Sequence, residues 1–222
     1  MTMLNDDTNL ARALRGLERG SASVRLKAAL AVGTAPDRRC VDTLVERCAV
    51  EPDFHVREML TWALTRHSPS TTVPRLVDEL RSERAQARSQ ALHTLSKIGD
   101  RRAWPAITRA LLTDADDEAA RSAWRAAVVL VPEGEEPELA RVLATQLGRG
   151  ERQMRLSLSR ALIALGEVIM PILRASMAHP DPRVRQHAHA TERLLRDPEA
   201  GFDFAIEEAK RTLVLGTTGQ EE

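Results

Sequence analysis

The octapeptide Asp53-Phe54-His55-Val56-Arg57-Glu58-Met59-Leu60 contains a pattern that recurs along the whole chain. Its core is an arginine that follows a mostly small or apolar residue, and this pair occurs six times, with the marker arginines at Arg25, Arg57, Arg88, Arg121, Arg155 and Arg185. The steps between these arginines are 32, 31, 33, 34 and 30 residues. Self-similarity at a nearly fixed period of this length indicates a solenoid, in which each unit stacks on its neighbours.

Apolar and small residues recur at fixed offsets after each marker arginine. The third residue is Ala28, Leu60, Ala91, Trp124, Leu158 or Ala188. The sixth is Ala31, Ala63, Thr94, Ala127, Ala161 or Thr191, and the seventh is Val32, Leu64, Leu95, Val128, Leu162 or Glu192. These three offsets share one face of an α-helix, so they predict the buried stripe of a first helix in every unit. The small residues at the sixth position would let a neighbouring helix approach closely.

Helix boundaries can also be read from the repeat. Four residues before each marker arginine stands the predicted start of a first helix, at Ser21, Asp53, Arg84, Asp117, Glu151 and Asp181, and all but Arg84 suit a helix N-terminus. A second helix is predicted to begin near the proline that follows the arginine by 16 or 17 residues, at Pro74, Pro105, Pro137 and Pro171, with Val41 and Gly201 in the equivalent slots. Gly99 and Gly166 are predicted to end first helices.

The repeat predicts the domain organisation. Residues 1–20 form an N-terminal capping helix, and residues 21–215 form one domain of six helical hairpins. The hairpins cover residues 21–50, 51–82, 83–114, 115–149, 150–179 and 180–215. The second helix of the last hairpin, residues 202–213, is charged on one face, as a terminal cap should be. Residues 216–222 are expected to form a disordered tail.

Composition excludes several classes of protein. Charged residues make up 29% of the chain, which is typical of soluble globular proteins, and 32 basic residues balance 32 acidic ones. This balance gives no overall attraction to nucleic acid or to a membrane surface. The N-terminus resembles no signal peptide, and no window approaches 18 apolar residues, so we expect a cytoplasmic protein without a membrane partner. Cys40 and Cys48 fall in one predicted helix about 12 Å apart, too far for a disulfide.

The pattern resembles HEAT repeats of the short bacterial type, also found in phycobilin lyases. The resemblance lies in Asp53-Phe-His-Val-Arg57, in Asp181-Pro-Arg-Val-Arg185 and in Gly99-Asp-Arg-Arg-Ala-Trp-Pro-Ala-Ile107, and it covers roughly residues 21–215. It implies an all-α fold, a right-handed α-solenoid of about six hairpins with terminal capping helices. It also implies that the acid and the arginine of each unit form a ladder of hydrogen-bonded contacts between repeats.

A candidate binding strip lies on the second helices, which form the concave side of such solenoids. Five positions recur there at steps of 31, 31, 32 and 33 residues: Arg47, Asp78, Arg109, Arg141 and Arg174. Stacking would place them in one column, about 10 Å apart from helix to helix. A linear polyanion or an acidic helix would fit this column. The alternative is a solvated face on which each arginine pairs with acids such as Glu46, Glu79 or Glu138.

These observations predict a non-enzymatic adaptor, scaffold or assembly factor that binds a protein or peptide, without a cofactor or a metal. The first alternative is nucleic-acid binding through the arginine column, as in HEAT-like DNA glycosylases, although Trp124, Trp62 and Trp104 suit packing better than base stacking. A HEAT-type lyase is the third. His187 and His189 point to opposite sides of a helix and cannot clamp one metal ion. The oligomeric state is left open.

Overall fold

The computed structural model of the protein describes residues 2–197, with side chains from residue 8 onward. This part of the chain contains no β-strand. Its α-helices are α1 (Thr2–Leu17), α2 (Ala22–Thr34), α3 (Val41–Cys48), α4 (Phe54–Thr65), α5 (Pro69–Glu79), α6 (Ala85–Ile98), α7 (Arg109–Leu112), α8 (Asp117–Leu130), α9 (Glu136–Ala144), α10 (Arg152–Ala164), α11 (Met170–Met177) and α12 (Pro182–Arg196). Short 3₁₀ helices span Arg38–Cys40, Arg101–Ala106 and Gly166–Ile169. The all-α repeat fold is therefore confirmed.

The chain divides into two compact units, unit 1 (Met1–Leu139) and unit 2 (Ala140–Glu222). In unit 1 the first helices α2, α4, α6 and α8 pack side by side in chain order, and α1 packs on α2 at the beginning of the row. The second helices form another row, in which α3 contacts α5, and α5 contacts the 3₁₀ segment before α7. Each second helix also packs against the first helix of the next hairpin. In unit 2, α12 packs against both α10 and α11.

The predicted apolar stripe forms the core. All six residues at the third offset are buried, and so are five of the six at the sixth offset, where Ala31 is exposed. Trp124 is fully buried, and its indole N–H donates to the Leu112 carbonyl oxygen at 2.8 Å, so its prediction as a core residue is confirmed. At the seventh offset Val128 and Glu192 are only half-buried, and Glu192 is the one charged residue in this set.

The predicted helix starts are mostly confirmed. Asp53 accepts a hydrogen bond from the Val56 amide at 3.1 Å, and Asp181 accepts one from the Arg183 amide at 2.8 Å. The prediction for Asp117 is wrong by one residue, because Asp116 precedes α8 and its carboxylate accepts from two amides of the first turn. Both are acids, so the repeat spacing alone could not choose between them.

The prolines predict the second helices only in part. Pro137 and Pro171 lie in the first turns of α9 and α11, as expected, and α3 begins at Val41. Pro74, however, lies inside α5, which begins earlier at Pro69, and Pro105 lies in the 3₁₀ segment before α7. A proline suits any position whose amide has no hydrogen-bond partner, so an earlier proline can begin the helix instead.

The C-terminal predictions fall beyond the described part of the chain. They are Gly201, the second helix of the sixth hairpin and the tail of residues 216–222. The arrangement of residues 21–215 as a single domain also stays a prediction.

Candidate partner-binding surface

The marker arginines fasten the loop that precedes each first helix. Four of them donate two hydrogen bonds from Nη1 to the carbonyl oxygens five and six residues earlier, at distances of 2.7 to 3.1 Å. These four are Arg25, Arg57, Arg88 and Arg185. Each arginine therefore fixes the turn through which one hairpin enters the next, which is a structural role.

Two marker arginines also bind an acid of the next loop. Arg25 forms a two-point ion pair with Glu51, and Arg88 forms the same pair with Asp114, each with distances between 2.7 and 2.9 Å. The implied ladder is thus present at these two junctions, but its acids differ from the expected ones. Asp53 and Asp181 cap their own helices, whereas the partner acids lie in the loops 26 residues after the arginine.

Glu51 is the centre of the junction between the first two hairpins. Its fully buried carboxylate accepts hydrogen bonds from Arg25, from Arg47 and from the Asp53 amide, all between 2.7 and 2.9 Å. Burial raises the pKa of Glu51, but the hydrogen bonds from Arg25, the Asp53 amide and Arg47 outweigh it and lower the pKa to about 2. The carboxylate is therefore ionised at neutral pH, and it holds Arg47 inward.

The other two predicted site residues of unit 1 lie on the second-helix face, defined as the exposed side of α3, α5 and α7. Asp78 is exposed near the end of α5, and its nearest cation is Arg81 at 3.8 Å. Arg109 is exposed at the first position of α7, and no carboxylate of residues 8–197 lies within 4 Å of its guanidinium. Both side chains can reach a bound molecule, whereas Arg47 is already engaged by Glu51.

Sequence reasoning missed the residue that connects these second helices. Arg75 of α5 donates to Asp42 of α3 at 3.0 Å and to Glu79 of its own helix at 2.7 Å. Asp42 and Arg75 are 33 residues apart, so one repeat spacing brings side chains of neighbouring second helices into contact. An acid and an arginine separated by one repeat in the sequence could have predicted this contact. Asp42 and Glu46 remain largely exposed on α3, so this part of the face carries more acid than the sequence suggested.

Unit 2 holds the remaining two predicted residues. Arg141 is exposed on α9 and takes part in a polar interaction. Arg174 is exposed on α11, and no carboxylate of the described residues with side chains contacts it. The structure describes these two residues within unit 2, and their alignment with the column of unit 1 stays a prediction.

Metal-binding clusters and reactive thiols are absent from the described side chains. No group of three or more His, Cys, Asp or Glu residues within this part of the chain could hold a metal ion. Cys40 and Cys48 are buried, and burial raises the pKa of their thiols to about 11 and about 12, which makes them poor nucleophiles at neutral pH. Among the described helices, none has the length and apolar character needed to cross a bilayer.

Residues 47–128, which run from the end of α3 through most of α8, match the family profile of HEAT repeats. This segment is therefore similar to HEAT repeats. The matched segment includes the junction at Glu51 and the stacked first helices α4, α6 and α8. It also includes three of the predicted site residues, Arg47, Asp78 and Arg109. The match therefore covers the part of the chain in which Arg47, Asp78 and Arg109 follow each other at one repeat spacing.

Two solved structures are similar to this chain. An engineered protein is 15% identical, with a TM-score of 0.47, and the alignment covers 84% of this chain and 98% of that one. The complex of CpcE and CpcF of phycocyanin lyase from Nostoc sp. PCC7120 is 18% identical, with a TM-score of 0.48, and the alignment covers 81% of this chain and 74% of that one. No curated protein matches the sequence.

Proposed function

We propose that the protein is a non-enzymatic binding module that holds a protein or peptide partner along its second helices, as an adaptor, scaffold or assembly factor. The supporting observation is the contact between Asp42 and Arg75 across neighbouring second helices. Because side chains one repeat apart lie next to each other there, an extended partner meets a regular row of charged groups. HEAT repeats are well suited to such a task.

The residues proposed to contact the partner are those of the predicted column that face solvent. In unit 1 they are Asp78 and Arg109, and in unit 2 they are Arg141 and Arg174. Arg47 contributes indirectly, because its ion pair with Glu51 holds the loop between α3 and α4 in place. Exposed Asp42 and Glu46 lie on the same face of unit 1, which favours a partner of mixed charge over a uniformly acidic one.

The test is a pull-down from the native cell extract with the tagged full chain. A triple variant, Arg109→Glu with Arg141→Glu and Arg174→Glu, should keep the circular dichroism and melting temperature of the parent, because these side chains face solvent. It should lose the proteins that the parent retains. The matched control reverses three exposed arginines elsewhere, Arg12→Glu, Arg38→Glu and Arg101→Glu, and should retain them. Full retention of every partner by the Arg109 triple variant would reject the proposed surface.

A cofactor-dependent enzyme is the competing class, and the purified protein discriminates it directly. A binding module should show no visible absorbance and no stoichiometric metal after purification under native conditions. A covalently or tightly bound chromophore would instead favour a lyase.

A further inference from the structure

A different surface, on the first helices of unit 1, carries an exposed tryptophan. Trp62 is 37% exposed on α4, and Leu30 is 43% exposed on the neighbouring helix α2. Trp62 lies nine residues after Asp53, which precedes α4, and Leu30 lies nine residues after Ser21, which precedes α2. The two side chains therefore occupy matching positions on helices that pack side by side. Two large apolar side chains are therefore exposed at equivalent positions of adjacent helices, and neighbouring exposed apolar residues of this kind mark interaction sites more often than single ones do.

The tryptophan is held in this position by a glycine. Gly33 lies one turn after Leu30 on α2, and a Cβ atom there would collide with Cζ3 and Cε3 of the Trp62 ring. The missing side chain lets one edge of the indole lie against α2 while the rest faces solvent. Its orientation is therefore fixed before any partner binds, which lowers the entropic cost of an interface.

The indole N–H of Trp62 is also unused. Of the three tryptophans, Trp104 donates to Glu135 at 2.8 Å and Trp124 donates to the Leu112 carbonyl oxygen, but Trp62 Nε1 has no hydrogen-bond acceptor among the residues whose side chains are described. Tryptophan is the residue type most enriched at the energetic centres of interfaces, where its ring is buried and its N–H finds an acceptor.

Two unpaired cations border the patch on one side. Arg66 lies one turn after Trp62, and Lys97 occupies the matching position on the next first helix, α6. Both are exposed, and no carboxylate of residues 8–197 lies within 4 Å of either side chain. Glu58, the acid one turn before Trp62 on α4, already contacts another side chain, because its carboxylate lies 3.2 Å from His93 Nε2.

We infer that Leu30, Trp62, Arg66 and Lys97 form a second docking surface, here called the tryptophan patch, for an acidic amphipathic helix. Apolar residues one turn apart on that helix would cover Leu30 and Trp62, and carboxylates on the following turn would meet Arg66 and Lys97. The tryptophan patch lies on first helices and shares no residue with the proposed second-helix face, so it goes beyond the proposed function and can be tested separately.

The probe is a synthetic helical peptide of about four turns, with leucines four residues apart and glutamates on the next turn of the same face. Isothermal titration calorimetry at low salt should give saturable binding to the full chain. A control peptide with lysine in place of every glutamate should bind at least about tenfold more weakly, because it places like charges against Arg66 and Lys97. Equal binding of both peptides, or no saturable binding of the acidic one, overturns the inference.

Variants assign the binding to the tryptophan patch. Trp62→Ala and the double variant Arg66→Glu with Lys97→Glu should each weaken binding of the acidic peptide at least about tenfold. The double variant changes only exposed side chains, so it tests the surface even where Trp62→Ala unfolds the helix pair. A charge-matched control, Arg81→Glu with Arg101→Glu, changes two exposed arginines that are not part of the tryptophan patch and should bind like the parent. An equal loss in this control would show non-specific charge attraction and overturn the inference.

The Arg109, Arg141 and Arg174 variant separates the two proposals. It should lose the cellular partner and still bind the acidic peptide as tightly as the parent does. Loss of peptide binding in that variant would contradict an independent tryptophan patch without affecting the proposed function.

Discussion

The buried carboxylate of Glu51 is stabilised by the three hydrogen-bond donors that surround it. Transferring a charge from water to a protein interior costs several kcal/mol, and the bonds from Arg25, Arg47 and the Asp53 amide offset that cost. The same group of bonds joins the first hairpin to the second. We therefore regard Glu51 as the residue that fixes this junction.

The first prediction concerns Glu51→Gln, which keeps the shape of the side chain and removes its charge. Arg25 would then remain buried opposite a neutral amide, and we expect the free energy of unfolding to fall by about 3 to 5 kcal/mol. Urea denaturation followed by circular dichroism measures this loss. Glu46→Gln is the matched control, because Glu46 is exposed on α3, the helix before the loop that contains Glu51, and we expect a change below about 1 kcal/mol. Equal effects of the two substitutions would show that Glu51 is not the critical acid.

The second prediction is that acidic pH lowers the stability of unit 2, because His187 is buried in its neutral form. Its Nδ1 accepts from the Gly148 amide at 3.0 Å, and its Nε2 lies 2.9 Å from the Arg155 carbonyl oxygen. The neutral ring with its proton on Nε2 satisfies both contacts. Burial lowers the pKa of His187 to about 4, although the hydrogen bond to the Arg155 carbonyl raises it.

Because the folded pKa lies below the ordinary value of 6.5, this group contributes its full stabilisation above pH 6.5 and loses it as the pH falls towards 4. We expect the loss to be on the order of 2 to 3 kcal/mol over that range. The measurement is the unfolding free energy of the parent and of His187→Gln at a series of pH values. The difference between the two should shrink on acidification, and a constant difference would contradict a lowered pKa for His187.

At the level of helices, the packing of α2 on α4 depends on Gly33. A Cβ atom at this position would lie 2.9 Å from the Ala63 Cα atom and would also collide with the Trp62 ring. Alanine favours a helix over glycine by about 1 kcal/mol, but the backbone of α4 cannot move as a flexible side chain could. The collision is therefore expected to outweigh the gain in helix propensity.

The third prediction is that Gly33→Ala destabilises the protein by about 1 to 3 kcal/mol. Thermal unfolding measures the change. Gly20→Ala is the control, because no atom lies within 4 Å of the added Cβ, and its melting temperature should stay near that of the parent. Adding Trp62→Ala to Gly33→Ala should recover only the part of the loss that comes from the ring. A melting temperature raised by Gly33→Ala alone would refute the close approach.

The first helices could be predicted from the sequence, because one physical requirement, burial of a stripe, fixes three offsets at once. Second helices were less predictable, since Pro74 and Pro105 are compatible with several local structures and the burial of these shorter segments leaves a weaker pattern. The roles of Glu51 and Asp114 could not be predicted from the neighbouring sequence, because each acid pairs with an arginine 26 residues earlier in the chain. In the candidate column, the sequence predicted the exposed residues Asp78 and Arg109, but it did not predict the ion pair between Arg47 and Glu51.

For the whole molecule, charge balance is the property that bears on nucleic acid. The chain has 32 basic and 32 acidic residues, and several marker arginines are bound to backbone carbonyl oxygens or to buried acids. In unit 1 the second-helix face exposes Asp42, Glu46 and Asp78. A phosphate backbone approaching this face would meet carboxylates as well as Arg109, so the net attraction should be small.

The last prediction is therefore weak binding of DNA. In fluorescence anisotropy with single-stranded and double-stranded oligonucleotides, we expect a dissociation constant weaker than about 100 μM at physiological salt, the weak end of the non-specific range. The matched control is a triple variant, Asp42→Lys with Glu46→Lys and Asp78→Lys, which removes the carboxylates and should gain binding at low salt. That gained binding should fall steeply as salt rises, because each neutralised phosphate releases counterions. Tight binding of DNA by the parent, with the same steep salt dependence, would instead support nucleic acid as its partner. The cations of the binding face would then have to outweigh Asp42, Glu46 and Asp78.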